Sequence, residues 1–385
     1  MNTNRSQKPG IYIHIPFCRH KCGYCDFYSI TALSEQEPFV EALCREIDVY
    51  AKRFVSEAAF DTIYLGGGTP SLLSETQLER IFEHLRRGFS FADDCEITIE
   101  VNPGTIGFDT LQFYKKLGIN RLSIGVQSFH KDELQILERI HSAAEAREVF
   151  SAARHAGFDN IGIDLIYALP GQTVEDWRYT LQEAIALRPE HISAYNLTFE
   201  EGTPFYNRLK EGKLSRQTEE AEKVFFLETE TFLNAAGYHH YEVSNFARNS
   251  AVISRHNYKY WTHAPYLGFG PSAHSYWEDQ RWANVRSVTR YIDLLGQGER
   301  PVAFRERLSE DVRQFEDVFL RLRTYEGIEL ERFEREYRRP FITIYKEQAR
   351  RLLNEGLAEI IHDRFRLTSK GMMVCDAILP QFITY

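Results

Sequence analysis

Three cysteines lie within one short segment of the sequence, CRHKCGYCDF at residues 18–27. Cys18, Cys22 and Cys25 have the spacing CxxxCxxC, and Phe27 stands where a fourth cysteine could have followed. Closely spaced thiolates bind either zinc or an iron–sulfur cluster. The segment therefore predicts a metal centre in which three cysteines leave one coordination position open.

Two kinds of metal centre fit this spacing. Zinc would need a fourth ligand, and His14 and His20 are close enough in the sequence to provide one. A cubane 4Fe–4S cluster needs no fourth side chain if one iron stays open. In a reducing compartment such a group of cysteines indicates a metal rather than disulfides. We favour the cluster over zinc, and zinc over a chance spacing.

Composition and charge narrow the class of protein. The 385 residues are 43% hydrophobic and carry a net charge of −9, which disfavours a general nucleic-acid-binding protein. No apolar run approaches the roughly 20 residues of a membrane-spanning helix, and the N-terminus has no apolar signal-peptide core. We therefore expect a cytoplasmic protein without a transmembrane segment, in which Cys44, Cys95 and Cys375 are small buried residues.

Short β-branched runs alternate with longer amphipathic runs in the first half of the chain. The helical patterns include residues 77–89 and 145–158, and Ser74 and Gln77 have the spacing of a capping box. The strand candidates are residues 11–15, 62–65, 96–101, 121–127, 160–166 and 191–197. Such strand–helix units build a parallel sheet. We therefore expect an α/β fold, either an open partial (β/α)6 barrel or a doubly wound sheet.

A weak internal repeat supports the alternation of helices and strands. Gly118, Gly157 and Gly237 each follow a helix-like run and precede a strand-like run. Glycine adopts the left-handed conformation after a helix end at little cost. The three positions therefore predict three helix ends, each followed by a strand.

The pattern changes after about residue 300, which divides the chain into residues 1–300 and a C-terminal domain of residues 301–385. Residues 311–328, 330–337 and 343–357 predict successive helices, and residues 358–371 predict a hairpin that turns at Asp363 and Arg364. This order indicates a small winged-helix-like domain. Because the chain is acidic, we expect this domain to pack against or cover the first domain rather than bind DNA.

Polar residues follow or end several of the predicted strands. The segment LGGGTPS contains glycines 66–68, which let the backbone approach a ligand closely, although three glycines can also merely form a turn. Glu100, Gln127 and Asp164 lie at or near the ends of the next three strands. Reactive groups gather at the C-terminal strand ends of such barrels. We therefore expect these residues to converge with the cysteines at one mouth.

The sequence resembles the radical S-adenosylmethionine (radical SAM) superfamily. Within it, the chain is similar to the group that contains oxygen-independent coproporphyrinogen III oxidase and the HemW-type haem chaperones. The resemblance covers nearly the whole chain and is carried by the segments IYIHIPFC, CxxxCxxCDF, LGGGTPS, IEVNPG, GVQSF, IDLIYALPGQT and LTSKG. It implies a partial (β/α)6 TIM-like barrel with a C-terminal winged-helix-like domain.

The resemblance also implies the cofactors and the residues that hold them. Cys18, Cys22 and Cys25 would bind a 4Fe–4S cluster whose open iron chelates S-adenosylmethionine. In such proteins the reduced cluster donates one electron and cleaves the sulfonium to a 5′-deoxyadenosyl radical. The cofactor-contacting positions would be Tyr12, Gly67, Gly68, Thr69, Glu100, Gln127, Arg139 and Asp164.

Two departures from the oxidase pattern favour the chaperone branch. The oxidases resemble CxxxCxxCxC, whereas this chain has Phe27 in place of the last cysteine. The cysteine motif also begins so near the N-terminus that we expect no room for the long N-terminal segment of the oxidases. We therefore interpret the chain as a haem chaperone without coproporphyrinogen oxidase activity.

A third feature agrees with this interpretation. The segment HNYKYW at residues 256–261 matches the HNxxYW pattern of HemW-like proteins. A neutral imidazole is a common ligand of haem iron, and aromatic rings offer a flat apolar surface to a porphyrin. His256 is thus the candidate haem ligand, with Tyr260 and Trp261 beside the porphyrin, and His240 and His274 are weaker alternatives. A single histidine near a Tyr–Trp pair is, however, more often part of a core.

Three functions of different classes remain at this stage. The first is a haem chaperone that passes haem to an acceptor protein, for example a membrane-bound cytochrome, and receives electrons from a reductant. The second is an enzyme of porphyrin biosynthesis that decarboxylates the propionates of coproporphyrinogen III. The third is a zinc-binding structural protein.

Overall fold

The computed structural model describes residues 7–54 and 59–383. The strands are β1 (Gly10–Ile15), β2 (Phe60–Gly67), β3 (Phe91–Val101), β4 (Arg121–Gln127), β5 (Ile161–Tyr167), β6 (His191–Asn196), β7 (His239–Glu242), β8 (Asn245–Ala247), β9 (Tyr266–Phe269), β10 (His274–Trp277), β11 (Gln280–Asn284), β12 (Val302–Arg307), β13 (Ile328–Glu329), β14 (Ala358–Ile361) and β15 (Arg364–Leu367). All six predicted strands are therefore present, with ends that differ by a few residues from the prediction.

Helices connect these strands. They are α1 (Gln36–Phe54), α2 (Glu75–Gly88), α3 (Phe108–Leu117), α4 (Lys131–Ile136), α5 (Ala143–His155), α6 (Val174–Ala186), α7 (Pro204–Lys210), α8 (Glu219–Ala235), α9 (Arg255–Trp261), α10 (Val288–Gly296), α11 (Glu310–Arg321), α12 (Leu330–Tyr337), α13 (Phe341–Ile344), α14 (Lys346–Asn354), α15 (Ser369–Met373) and α16 (Cys375–Ile378). Short 3₁₀ turns lie at Leu33–Glu35, Pro70–Leu72, Ser250–Val252 and Leu379–Phe382. None of these helices is long and apolar enough to cross a membrane.

Strands β1 to β6 form a parallel sheet in which spatial order follows chain order. A doubly wound sheet would reverse its order at a switch point. The unbroken order therefore selects the partial barrel over the doubly wound alternative. It also places the C-terminal ends of all six strands at one edge, which is the mouth of the barrel.

The large sheet extends beyond the six predicted units on both sides. On the far side of β1 lie β9, parallel to it, and then the antiparallel strands β10 to β12. On the other side β8 pairs antiparallel with β6, and β7 pairs antiparallel with β8. The third glycine repeat therefore leads into a hairpin, because β7 is followed so closely by β8 that no helical crossover can intervene.

Several local predictions are confirmed. Ser74 and Gln77 form a reciprocal capping box at the start of α2. Gly118, Gly157 and Gly237 all adopt the left-handed conformation at the ends of helices. The three scattered cysteines are buried, at positions 44, 95 and 375.

The C-terminal region has its own hydrophobic core, which runs from Val318 to Phe382. Strands β13, β15 and β14 form a small antiparallel sheet beside helices α11 to α14. The hairpin turn lies at His362 and Asp363, one residue earlier than predicted, because both adopt a positive φ, as a two-residue turn of this kind requires. The division predicted at residue 300 lies just before β12, which still pairs with β11 of the large sheet.

One buried carboxylate joins the barrel to the added strands. Glu46 of α1 accepts hydrogen bonds from Tyr291 Oη at 2.6 Å, Asn284 Nδ2 at 2.7 Å and the Gly270 amide at 2.8 Å. Burial raises the pKa of Glu46 to about 7, although these three donors oppose the rise. The side chain thus fixes β11, α10 and the loop after β9 against α1.

This raised pKa predicts how stability changes with pH. The unfolded chain releases the Glu46 proton near its ordinary pKa, whereas the folded chain holds it until about pH 7, so the stability contributed by this group declines as pH rises between these values. We expect Glu46→Gln to gain thermal stability relative to the wild type between pH 5 and pH 8, by at most about 3 kcal/mol. Thermal unfolding at several pH values measures this. Glu41→Gln, an exposed carboxylate on the same helix, is the control. The prediction would be contradicted if the melting temperatures of Glu46→Gln and wild type changed in parallel with pH.

Candidate cofactor and cluster site

The cysteine segment forms a loop directly after β1, at the mouth of the barrel. The base of the loop is closed by two backbone hydrogen bonds, from Cys18 N to Ile30 O at 3.0 Å and from Ile30 N to Pro16 O at 2.7 Å. From the outside, the Phe205 amide of α7 donates to Gly23 O at 2.9 Å. The loop is therefore held at its ends and near its middle.

Each cysteine has a different environment. Thr69 Oγ1 donates to Cys18 Sγ at 3.4 Å, and Arg139 Nη1 donates to Cys22 Sγ at 3.7 Å. Burial raises the pKa of Cys25 to about 11, and the other two cysteines add to this while Lys21 opposes it. The three thiols are thus electrostatically coupled and have cationic neighbours. In residues 7–54 and 59–383, no three His, Cys, Asp or Glu side chains are arranged to hold a single metal ion.

The glycine-rich loop after β2 packs tightly against the start of the cysteine loop. Gly67 has a φ of +107°, and a Cβ there would lie 2.6 Å from the His14 ring. A Cβ on Gly68 would lie 2.7 Å from Phe17 O. These positions therefore require glycine, which brings the backbone beside the cysteines, as the sequence predicts.

Glu100 lies at the mouth of the barrel next to this loop. It accepts hydrogen bonds from Tyr64 Oη at 2.9 Å and from the Gly67 amide at 3.2 Å. Burial raises the pKa of Glu100 to about 7; the Tyr64 hydrogen bond lowers it and the nearby Asp164 raises it. The carboxyl therefore changes protonation near neutral pH while remaining partly exposed.

Asp164 and Gln127 lie on the neighbouring strands. Asp164 accepts hydrogen bonds from Ser123 Oγ at 3.2 and 3.0 Å, and burial raises its pKa although Ser193 and Ser123 oppose the rise. Gln127 interrupts the β4–β5 pairing at a bulge with a φ of +70°. Its Oε1 atom is buried without a partner among the described residues. An orphaned buried acceptor of this kind fits a site that holds a ligand with hydrogen-bond donors.

Tyr12 and His14 form a short chain on β1. Tyr12 Oη donates to His14 Nδ1 at 3.0 Å, and His14 Nε2 donates to Tyr28 O at 2.8 Å. Burial lowers the pKa of His14 to about 4, so the ring is neutral. Both nitrogens of His14, one of the two alternative zinc ligands, are therefore engaged within the protein.

Arg139 connects the cysteine loop to the sheet. Besides Cys22, it donates through Nη2 to Asn102 Oδ1 at 2.9 Å and to Gly125 O at 2.8 Å. His20, the other alternative zinc ligand, pairs with Glu138 at 3.5 Å and is half exposed. The predicted cofactor-contacting residues therefore lie on β1 to β5 or in the loops between them, and Tyr12 lies inside the barrel with its ring 6.3 Å from that of His256.

The haem candidates on α9 lie at the opposite end of the barrel. His256 is fully buried near the N-terminal ends of β2 and β3. There, Glu96 Oε1 of β3 accepts a hydrogen bond from the His256 backbone amide at 3.1 Å. Its Nδ1 is 2.8 Å from Thr62 Oγ1 and its Nε2 is 2.9 Å from Tyr260 Oη. Burial lowers the pKa of His256 to about 3. In this conformation both nitrogens of the predicted haem ligand are occupied, and Tyr260 contacts the histidine itself.

The remaining haem candidates differ in exposure. Trp261, at the end of α9, is partly exposed. His240 is buried and stacks on Phe246 with a ring separation of 3.9 Å. His274, at the start of β10, is exposed. The structure therefore does not bring the five haem candidates into one group with the cysteines.

Three residues of the site were not singled out from the sequence. Asn102 orients Arg139, Ser123 holds Asp164, and Tyr64 holds Glu100. Asn102 lies in the quoted segment IEVNPG, so a signal for it was present in the sequence. Ser123 and Tyr64 lie inside strands, where only the strand register reveals which face they occupy.

The chain matches two protein-family models. Residues 12–184 match the Radical SAM superfamily, and residues 308–374 match the HemN C-terminal domain. The first range contains the cysteine loop and the predicted cofactor-contacting residues. The second range contains most of the C-terminal region.

Relatives cover nearly the whole chain. "Heme chaperone HemW" of Bacillus subtilis (strain 168) is 35% identical over 375 residues, which are 97% of this chain and 98% of the relative. The mitochondrial "Radical S-adenosyl methionine domain-containing protein 1" of Danio rerio is 33% identical, over 97% of this chain and 86% of the relative. These alignments extend through both family models and the segment between them.

A solved structure confirms the fold. Coproporphyrinogen III oxidase (HemN) from Escherichia coli, described as a radical SAM enzyme, has a TM-score of 0.86 and 27% identity, and the match covers 98% of this chain and 91% of that chain. The predicted α/β fold, with a radical SAM barrel and a small C-terminal domain, is therefore confirmed. The chain belongs to the radical SAM superfamily, in the group whose curated relatives are named heme chaperone HemW.

Proposed function

We propose that this protein is a haem chaperone that binds a 4Fe–4S cluster, S-adenosylmethionine and haem, and transfers haem to an acceptor protein in the cytoplasm or at a membrane. The observation that carries this proposal is the near full-length similarity to a relative named heme chaperone. Phe27, which stands in place of the last cysteine of the oxidases, supports it. Its side chain is 67% exposed beside the cysteine loop.

The residues at the mouth of the barrel fit the cofactors that the superfamily implies. Cys18, Cys22 and Cys25 would hold the cluster, since soft thiolates are the ligands that iron–sulfur clusters require. When bound, the cluster and S-adenosylmethionine supply one-electron chemistry. Arg139 would offset thiolate charge at Cys22, and glycines 67 and 68 let their backbone pack against the start of the cysteine loop. An electron donor would reduce the cluster.

The carboxylates, Gln127 and Tyr12 would hold S-adenosylmethionine. Glu100 and Asp164 are partly exposed and can attract its positively charged groups, while Gln127 offers an acceptor with no partner inside the protein. Thr69, which contacts Cys18, would contact the cofactor beside the cluster. The protein's part is then to orient the cofactor and exclude water.

The second candidate function is oxygen-independent coproporphyrinogen III oxidation. The fold match to the HemN structure favours it, because that protein is named as the oxidase. Phe27 weighs against it, because the oxidase pattern has a cysteine at this position. The barrel is compatible with both functions, so an assay of the reaction must distinguish between them.

Loss of any motif cysteine should remove the cluster. We expect Cys18→Ser, Cys22→Ser and Cys25→Ser each to lose most of the iron and sulfide after anaerobic reconstitution, because each removes one of three thiolate ligands. Iron, sulfide and zinc analysis measures this. Cys44→Ser is the matched control. Cys44 is buried in α1, away from the cysteine loop, so this variant should retain the cluster. If the wild type contained stoichiometric zinc and no iron, the cluster assignment would be wrong and the zinc alternative would be supported.

Haem binding without decarboxylation is the expected behaviour of the wild type. We expect a saturable Soret titration with haem, and no loss of carbon dioxide from coproporphyrinogen III in the presence of S-adenosylmethionine and reductant. The same reconstituted sample serves both assays. Clear decarboxylation without saturable haem binding would make the protein an oxidase despite Phe27.

If His256 binds the haem iron, as we propose, it must give up one of its two hydrogen bonds. We therefore expect His256→Ala to weaken or shift the Soret titration. Thr62→Val should strengthen haem binding, because it frees Nδ1 without removing the imidazole. His274→Ala tests the exposed alternative in the same titration. An unchanged titration in both His256→Ala and Thr62→Val would exclude His256 as the ligand.

A further inference from the structure

A buried arginine at the base of the barrel has no assigned role. Arg121 begins β4 and is 1% exposed. Side chains alternate along a strand, so Arg121 points to the same side as Ser123, which binds Asp164 inside the barrel. The Nε and Nη1 atoms of Arg121 have no hydrogen-bond partner among the described residues. Burying a guanidinium in this way is costly unless other charges offset it.

The neighbouring strand makes room for this side chain. Gly162 of β5 lies beside it, and a Cβ at Gly162 would be 3.3 Å from Arg121 Nη2 and 3.3 Å from His191 Nδ1. Burial lowers the pKa of His191 well below its ordinary value, and Arg121 lowers it further, so the imidazole is neutral. Arg121 is therefore the charged member of this pair.

The two carboxylates of the cofactor site are one step along the sheet from Arg121. Arg121 pairs with Thr98, and Ser123 pairs with Glu100 on the same strands. The positive charge of Arg121 lowers the pKa of both Glu100 and Asp164 against the larger effect of burial. Asp164 in turn raises the pKa of Glu100. Two partly buried acids side by side therefore need a counter-charge to remain ionised together.

Other groups around the two carboxylates do not supply this charge. Besides Asp164, the titratable groups that affect the pKa of Glu100 are Tyr64 and Arg121, and those that affect Asp164 are Arg121 and Arg139. The carboxylates in turn raise the pKa of the nearby Tyr12, Tyr64, Tyr195 and Tyr260. Burial raises the pKa of each of these tyrosines, so they are neutral. Arg139 is already engaged with Asn102, the Gly125 carbonyl and Cys22. This leaves Arg121 as the cation of the group that is not otherwise bonded.

We propose that Arg121 is a positioning residue whose buried guanidinium is the counter-charge that favours the ionised forms of Glu100 and Asp164, which bind S-adenosylmethionine. This inference rests on the proposed cofactor site. The positive charge of the site would then come from Arg121, whose side chain does not itself reach the mouth of the barrel. Without Arg121, the carboxyls would take up protons at higher pH and lose their attraction for the cofactor.

Equilibrium binding of S-adenosylmethionine between pH 6 and pH 9 tests the proposal. The protein is anaerobically reconstituted wild type, Arg121→Met and Arg121→Lys. The cofactor's own titration is common to all three and cancels in the comparison. Wild-type affinity should fall below about pH 7, where Glu100 takes up its proton. In Arg121→Met the midpoint should rise by about one unit or more, with roughly tenfold weaker binding at pH 7. Arg121→Lys should stay close to wild type.

The outcomes separate this inference from the proposed function. No binding of S-adenosylmethionine by the wild type would overturn both. Wild-type binding with a parallel pH profile in Arg121→Met would overturn only the role of Arg121, because a merely structural loss weakens binding equally at every pH.

Folding is monitored independently by circular dichroism and cluster content. If Arg121→Met does not fold, Glu100→Gln and Asp164→Asn are added to the same chain, since neutral side chains need no counter-charge. Recovery of the fold supports the proposal, and failure to recover overturns it.

Discussion

The parallel pairing of β1 with β2 is the interaction on which the candidate site depends. Its register sets Ile15 beside Gly67, and the pairing continues past both strands, with the Gly68 amide donating to Ile15 O at 2.8 Å and the Thr69 amide to Phe17 O at 2.7 Å. The glycine loop and the start of the cysteine loop are thereby held together by backbone hydrogen bonds. The close approach explains why neither glycine can carry a side chain.

Electrostatics inside the barrel follow from the same parallel arrangement. Inward positions of β2 to β5 carry Tyr64, Glu100, Arg121 and Asp164, and their mutual hydrogen bonds and charges replace the solvation that burial removes. Acidic and basic groups placed together in this way suit the recognition of a charged ligand. In a barrel with no ligand to bind, burying these polar and charged groups would only reduce the free energy of unfolding.

The two ends of the barrel are built differently. At the mouth, Cys22, Cys25 and the two carboxylates are partly exposed, and Gln127 Oε1 and Arg139 Nε have no hydrogen-bond partner among the described residues. At the base, α9 is fastened by Glu96, Thr62 and the ion pair between Lys259 and Asp61 at 2.6 Å. The proposed haem motif therefore also closes the barrel. If haem binds there, binding and the integrity of the base are coupled.

The sequence by itself determined the strands β1 to β6 and the cysteine loop, and it predicted the cofactor-contacting residues around that loop. These are local signals: β-branched runs, glycines at helix ends and short motifs at strand ends, and parallel strands bring their C-terminal ends to one edge. Only the tertiary structure decided that the sheet continues into β7 to β12, since short antiparallel strands carry a weak pattern. It alone decided that His256 is enclosed by Thr62 and Tyr260, and that Arg121 faces the two carboxylates. Contacts between distant segments depend on register and packing, and no spacing along the chain encodes which polar side chain will be buried beside which other.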